Sequence, residues 1–266
     1  MARVATLTVH ALRVRRHTLI GWSVSLALTM IAFVAMFPSI ENIKLDALSQ
    51  QYPEQVLKAF GIESLDGLST AIGFLKLELF GLILPLTIAF LPLGVFVRAI
   101  AGAEERRYLT PLLALPLRRG QLFWSAAVAA LASLAIAIAS IALSSWLTAL
   151  IGGIELSFGD ILETSVCTAP IALTTTAFAA IACGASGRRG LATAVAGGLL
   201  VLMYLVSLLA ALVPSIANVG KLSPFHYYTN WINDSIVWWQ VAAISGIAFV
   251  LIAVGAVLYE RRDVRN

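Results

Sequence analysis

The sequence predicts an all-α integral membrane protein of six transmembrane helices with its N- and C-termini cytoplasmic. Three observations predict it. Hydrophobic residues make up 60% of the 266 and charged residues only 12%, whereas soluble domains run near a quarter charged. Six apolar stretches are long enough, at about 1.5 Å of rise per residue, to cross a hydrocarbon core of roughly 30 Å. Basic residues collect in alternate gaps between those stretches, as they do on the cytoplasmic side of short membrane loops. The spans fall at about 18–37, 77–97, 122–146, 164–183, 191–213 and 237–259, and no gap between them could house a soluble catalytic domain. Residues 1–266 therefore read as a single transmembrane domain.

Ahead of the first span, Val4, Leu7, Ala11 and Leu12 share one helical face and Arg3, Thr6, His10, Arg13 and His17 the other. That pattern predicts an interfacial helix resting on anionic cytoplasmic lipid, the alternative being a frayed basic tail. Its histidines are lone imidazoles on a wet face and make no metal site. Span one follows four arginines and contains the cleavage-like "AFVA", but its apolar run exceeds the length of a secretory signal core, so it reads as a retained helix. The next gap carries "YPEQVLKAFG". Pro53 suits a first helical position, Glu54 a helix start, Lys58 a last turn and Gly61 a stop, so a short amphipathic helix is expected there.

In span two, Pro85 and Pro92 are expected to bend the helix, as is Pro170 in span four. Cys167 and Cys183 lie too far apart along span four to bridge each other. Its run Thr174, Thr175, Thr176 has two readings: hydroxyls bonded to their own helix's carbonyls, or contacts along a translocation path. Gly197 and Gly198 in span five permit close helix approach. The last outer gap holds Tyr227, Tyr228, Trp231, Trp238 and Trp239, which reads as an interfacial belt or as two short helices broken near Leu222–Pro224. His226 there reads as an interfacial side chain.

Charge placement orients the bundle. All fourteen arginines fall in the N-terminal segment, the 98–121 segment, the turn at Arg188 and Arg189, or the tail. The other side has only Lys44, Lys58, Lys76 and Lys221 among ten acids. The net charge of +4 is thus a topology signal, and no aromatic-interleaved basic stripe marks a nucleic-acid partner.

What the chain lacks narrows its mechanism. No ionisable residue sits deep in a span, as a proton- or sodium-coupled engine would need. No hydrolase motif is present, and the phosphate-cradling G-x-x-x-x-G-K-[ST] is missing, so the chain is expected to be no enzyme and to bind no cofactor. Energy for uphill movement would come from another chain, and the charged segment 101–122 offers that chain a cytoplasmic surface.

Here "EERRYLTPLLALPLRR" resembles the first cytoplasmic loop of permease subunits of type-2 ABC exporters, E-E-x-G-T-L-x-x-L-L-A-x-P-[VL]-[ST]-R. Glu104, Glu105, Leu109, Leu112, Leu113, Ala114, Pro116, Leu117 and Arg119 are in register, while Arg107, Tyr108 and Arg118 depart from it. The ending "YERRDVRN" is similar to that family's F-x-R-R-D-[LV] terminus. The resemblance implies an exporter half: two six-helix permeases, identical or paralogous, around a central path, with a dimer of cytoplasmic ABC ATPase subunits carrying ATP and Mg. It implies a coupling helix between spans two and three, with Glu104, Glu105, Arg106, Tyr108, Leu109, Leu112, Leu113, Pro116 and Arg119 as the docking segment. A hydrophobic or amphipathic cargo (drug, peptide or lipid) and a bacterial inner membrane are the matching expectations. A non-transporting scaffold or sensor subunit and a nucleotide-independent facilitator are the alternatives.

Overall fold

A computed structural model describes residues 2–41, 70–105, 119–233 and 235–262. The amphipathic helix expected at 53–61 and the coupling helix expected within 106–118 lie outside the described residues. The remainder is helical, with no strand among the described residues. Six helical stretches are long and apolar enough to cross a bilayer: Arg16–Ser39, Ile83–Glu105, Arg119–Gly152, Phe158–Ser186, Arg189–Leu212 and Trp238–Arg261. The chain is a multi-pass membrane protein.

Helix α1 (Ala2–Val14) turns at Arg15 into α2 (Arg16–Glu41). Ala11 and Leu12 of its apolar face pack on the bundle, and the buried Thr8 hydroxyl donates both to Val4 and across to the carbonyl of Ser125. Val9 and Val14 remain exposed. The next span is two pieces. Helix α3 (Ala71–Leu75), capped by the Thr70 hydroxyl accepting from the Gly73 N–H, runs into a π-helical turn at Lys76–Phe80, and α4 (Ile83–Ala99) follows after a break at Gly81 and Leu82.

Beyond α5 (Ala101–Glu105), the long α6 (Arg119–Gly152) reaches α7 (Phe158–Val166). A second break at Cys167 and Thr168 separates α7 from α8 (Ala169–Ser186), which is followed by α9 (Arg189–Leu212). A 3-10 turn at Pro214–Ile216, α10 (Ala217–Gly220) and α11 (Pro224–Asn233) lead into α12 (Trp238–Arg261).

The breaks correct the expectation for two prolines. Pro85 and Pro170 stand in the first turns of α4 and α8, where backbone N–H groups have no intrahelical partner and proline's missing donor costs nothing. Of the three prolines expected to bend a helix, Pro92 alone lies in a helix interior. Carbonyls at the breaks find partners nearby: the Tyr228 hydroxyl donates to Phe80 O at 2.6 Å, and Ser165 O accepts both the Thr168 backbone N–H and the Thr168 hydroxyl, the latter at 2.7 Å. In hydrocarbon each unmet group would cost several kcal/mol.

Helix α8 forms the hub. It packs on α12, α4 and α9, while α6 gathers α1, α2 and α4. Some 72% of the α7–α8 span window is buried, against 22% for α2 and α9 and 28% for α12, so the latter three present apolar side chains such as Leu28, Val201 and Val250 outward.

Close approach occurs at α8 and α12. A Cβ on Gly255 would lie 2.7 Å from the carbonyl carbon of Ala180, and Gly184 sits against Gly255 O and the Tyr259 backbone. Small residues allow such backbone contact where lipid removes the hydrophobic driving force between helices. This corrects the expectation for span five: the nearest atom to a Cβ on Gly197 is a Phe90 ring carbon at 3.6 Å, and Gly198 has nothing within 4 Å.

The aromatic belt divides in the same way. Tyr228 and Trp231 are fully buried, and the Trp231 indole N–H donates to Gln240 Oε1 at 2.9 Å. Only Trp238 and Trp239 are exposed as a belt would be. The break near Leu222–Pro224 is present, with the Ser223 hydroxyl donating to Met203 O at 2.8 Å and starting α11 by accepting from the Phe225 N–H.

Candidate functional site

Arginine-bearing segments distant in sequence meet at one end of the bundle, and their order follows from local backbone. Helix α8 stops because Gly187 adopts φ +65°, a left-handed turn that side-chain-bearing residues disfavour. The Gly187 N–H returns to Cys183 O at 3.0 Å. A second donor reaches that carbonyl: Arg262 Nη1, at 2.9 Å, arriving from the end of α12. A Cβ on Gly187 would collide with both Arg262 Nη1 and Glu104 Oε2. Glycine is required there for its φ and for the space.

Arg262 is the centre of this end. Its Nη2 donates to both carboxylate oxygens of Glu104 at 2.5 Å, with the side chains only 19% and 12% exposed. Its own carbonyl accepts from Arg119 Nη1 at 2.8 Å. The guanidinium lies 5.7 Å from the centre of the Tyr259 ring, beneath which Phe123 and Phe96 continue an aromatic column at centroid spacings of 5.6 and 5.1 Å. Charge-assisted hydrogen bonds are stronger than neutral ones, and this pair, made by one nitrogen to both oxygens, is buried enough to escape most solvent screening. Glu105 makes a separate link. Its Oε1 accepts the Arg189 backbone N–H at 2.8 Å, placing a carboxylate on the positive start of α9.

Of the nine residues expected to form a docking segment, the structure describes three: Glu104 and Arg119, both tied to Arg262, and Glu105, tied to the start of α9. Arg106, Tyr108, Leu109, Leu112, Leu113 and Pro116 lie outside the described residues. Both described flanks of that segment are fastened to one residue: Glu104 before it to the Arg262 side chain, Arg119 after it to the Arg262 carbonyl. Sequence reasoning assigned Arg262 no role beyond its place in the tail and missed Gly187. The available signal was an arginine just after an apolar span and a glycine just after another.

Thr174, Thr175 and Thr176 sit elsewhere, inside α8. Each is buried, and each hydroxyl donates four residues back, to Pro170 O, Ile171 O and Ala172 O, at 2.7, 2.8 and 2.8 Å.

Nothing among curated proteins matches this chain significantly. Residues 7–260 match the family model described as "Multidrug efflux system permease Rv1217c, C-terminal domain". A six-span, strand-free bundle with a match over nearly its whole length leaves one assignment: the chain belongs to this family of multidrug efflux system permeases.

Proposed function

We propose that the chain is the permease half of an ATP-driven ABC exporter, moving a hydrophobic or amphipathic substrate with ATP and Mg held by a separate cytoplasmic ATPase dimer. Two permease copies, identical or paralogous, would face each other in a bacterial inner membrane with the arginine-rich end in the cytoplasm. The observation that carries this reading is the double fastening of residues 104 and 119 to Arg262. A push on the intervening segment is delivered at once to the end of α12, and through the Cys183 carbonyl to α8. No ionisable engine is needed inside the membrane, because the force arrives from outside it.

In this mechanism Glu104 and Arg119 hold the base of the segment, and Glu105 holds it to α9. Leu109, Leu112, Leu113 and Pro116 would offer an apolar ridge to a partner groove, and Arg106 and Tyr108 complete the docking segment. Thr174, Thr175 and Thr176 enter only as a polar seam whose remaining oxygen lone pairs could serve a substrate path.

The test is gentle extraction of the tagged chain, identification of what stays bound, and reconstitution of the complex. A stoichiometric nucleotide-hydrolysing partner, with hydrolysis stimulated by transported drugs, is expected. A chain found alone and passing substrate without nucleotide would overturn the reading in favour of a facilitator. A bound partner with neither flux nor stimulated hydrolysis would overturn it in favour of a scaffold.

A further inference from the structure

At the basic end a second feature stands apart from the Arg262 network. A cavity of about 110 Å³ opens between α2 and α4. One wall carries Arg15, Thr18 and Trp22, and the other carries Phe90, Gly94 and Arg98. Residues three or four apart share a helix face, so each wall runs from an arginine to an aromatic ring. The cavity is cationic at one end and apolar at the other, about 12 Å apart along α4 at 1.5 Å per residue.

Two guanidinium groups would not be expected to share a small site without a counter-charge. Among the described residues no carboxylate lines it, and none is paired with Arg15 or Arg98. Arg15 uses Nη1 on Val95 O at 2.5 Å, one of five N–H groups that guanidinium carries. Burial first, and then the charge of Arg98, pull its pKa down to about 10, since desolvation and a like charge both disfavour the charged form. Gly94 keeps the middle open, since a Cβ there meets nothing within 4 Å. Phe90 is 40% exposed, so the apolar end is accessible from outside the bundle.

We infer that this cleft binds one anionic phospholipid, its phosphodiester between Arg15 and Arg98 and an acyl chain along Trp22 and Phe90. Two cations with no acid favour a headgroup of net negative charge over a zwitterionic one, whose ammonium they would repel. The apolar end favours a lipid over free phosphate, which would leave it empty. The inference goes beyond the exporter reading and does not depend on an ATPase partner.

The experiment uses the full chain, reconstituted in nanodiscs with equal amounts of phosphatidylglycerol and phosphatidylcholine, then released into detergent and weighed with its retained lipids. One phosphatidylglycerol per chain is expected, preferred about tenfold, the effect of one charge-assisted contact pair. Arg98 is exposed and makes no hydrogen bond to a described residue, so Arg98→Gln should fold normally and abolish the preference, while Arg98→Lys keeps it. Gly94→Leu, which fills the cleft with both charges intact, should also release the lipid. Equal retention of the two lipids by the wild type, or unchanged preference in Arg98→Gln, would overturn the inference. Excess inorganic phosphate should leave the lipid in place, and displacement of the lipid by phosphate would reassign the site to a free anion.

Discussion

Neutralising either partner of the Glu104–Arg262 pair leaves the other charge largely buried and unmet. With the side chains 12% and 19% exposed, screening is weak. Two unit charges near 4 Å at an effective dielectric of 20 attract by about 4 kcal/mol, and desolvation takes back a large part. Hydrogen bonds to charged groups contribute about 1.5–3 kcal/mol net, so the coupling between Glu104 and Arg262 is expected near 2 kcal/mol.

The assay is a double-mutant cycle of Glu104→Gln, Arg262→Gln and the double variant, unfolded by rising SDS fraction in mixed micelles and followed by tryptophan fluorescence. Arg262→Gln also loses the bond to Cys183 O, but that loss occurs on both legs and cancels. The double variant should be little worse than either single one. If the single effects add to within about 0.5 kcal/mol, the limit for uncoupled sites, the two residues do not act on each other and Arg262 is not the anchor described above.

Gly187→Ala should destabilise by about 1–2 kcal/mol from left-handed strain plus displacement of Arg262 and Glu104. Gly153→Ala is the control, at the same φ of +65° with nothing within 4 Å of its Cβ, and equal losses in the same unfolding assay would deny the crowding. Tyr228→Phe orphans the Phe80 carbonyl at the helix break and should cost about 1–3 kcal/mol, whereas Tyr227→Phe should be near neutral by the same measurement. Burial, and secondarily Lys221, hold the His226 pKa below its ordinary 6.5. The unfolded chain therefore takes up a proton first, and stability should fall as pH drops below about 6.5. His226→Gln should flatten that slope in unfolding midpoints measured across pH.

Length, apolar composition and the alternation of arginine determined the fold class and the six spans from sequence alone, because a bilayer imposes helices of set length and a side for basic loops. Hydropathy averages over many residues, so it does not register where one helix becomes two. Predicted span two therefore missed the break at Gly81 and Leu82, and Pro170 read as a kink although it begins a helix. Helix contacts were illegible for a related reason: Gly197 and Gly255 look alike in sequence, and only the packing of α12 on α8 decides that Gly255 meets a backbone while Gly197 meets a phenyl ring. Glu104, Glu105 and Arg119 could be singled out by their charge in a greasy chain. Arg119 and Glu104 attach to Arg262, 143 and 158 positions away, and only tertiary packing makes so distant a residue a neighbour.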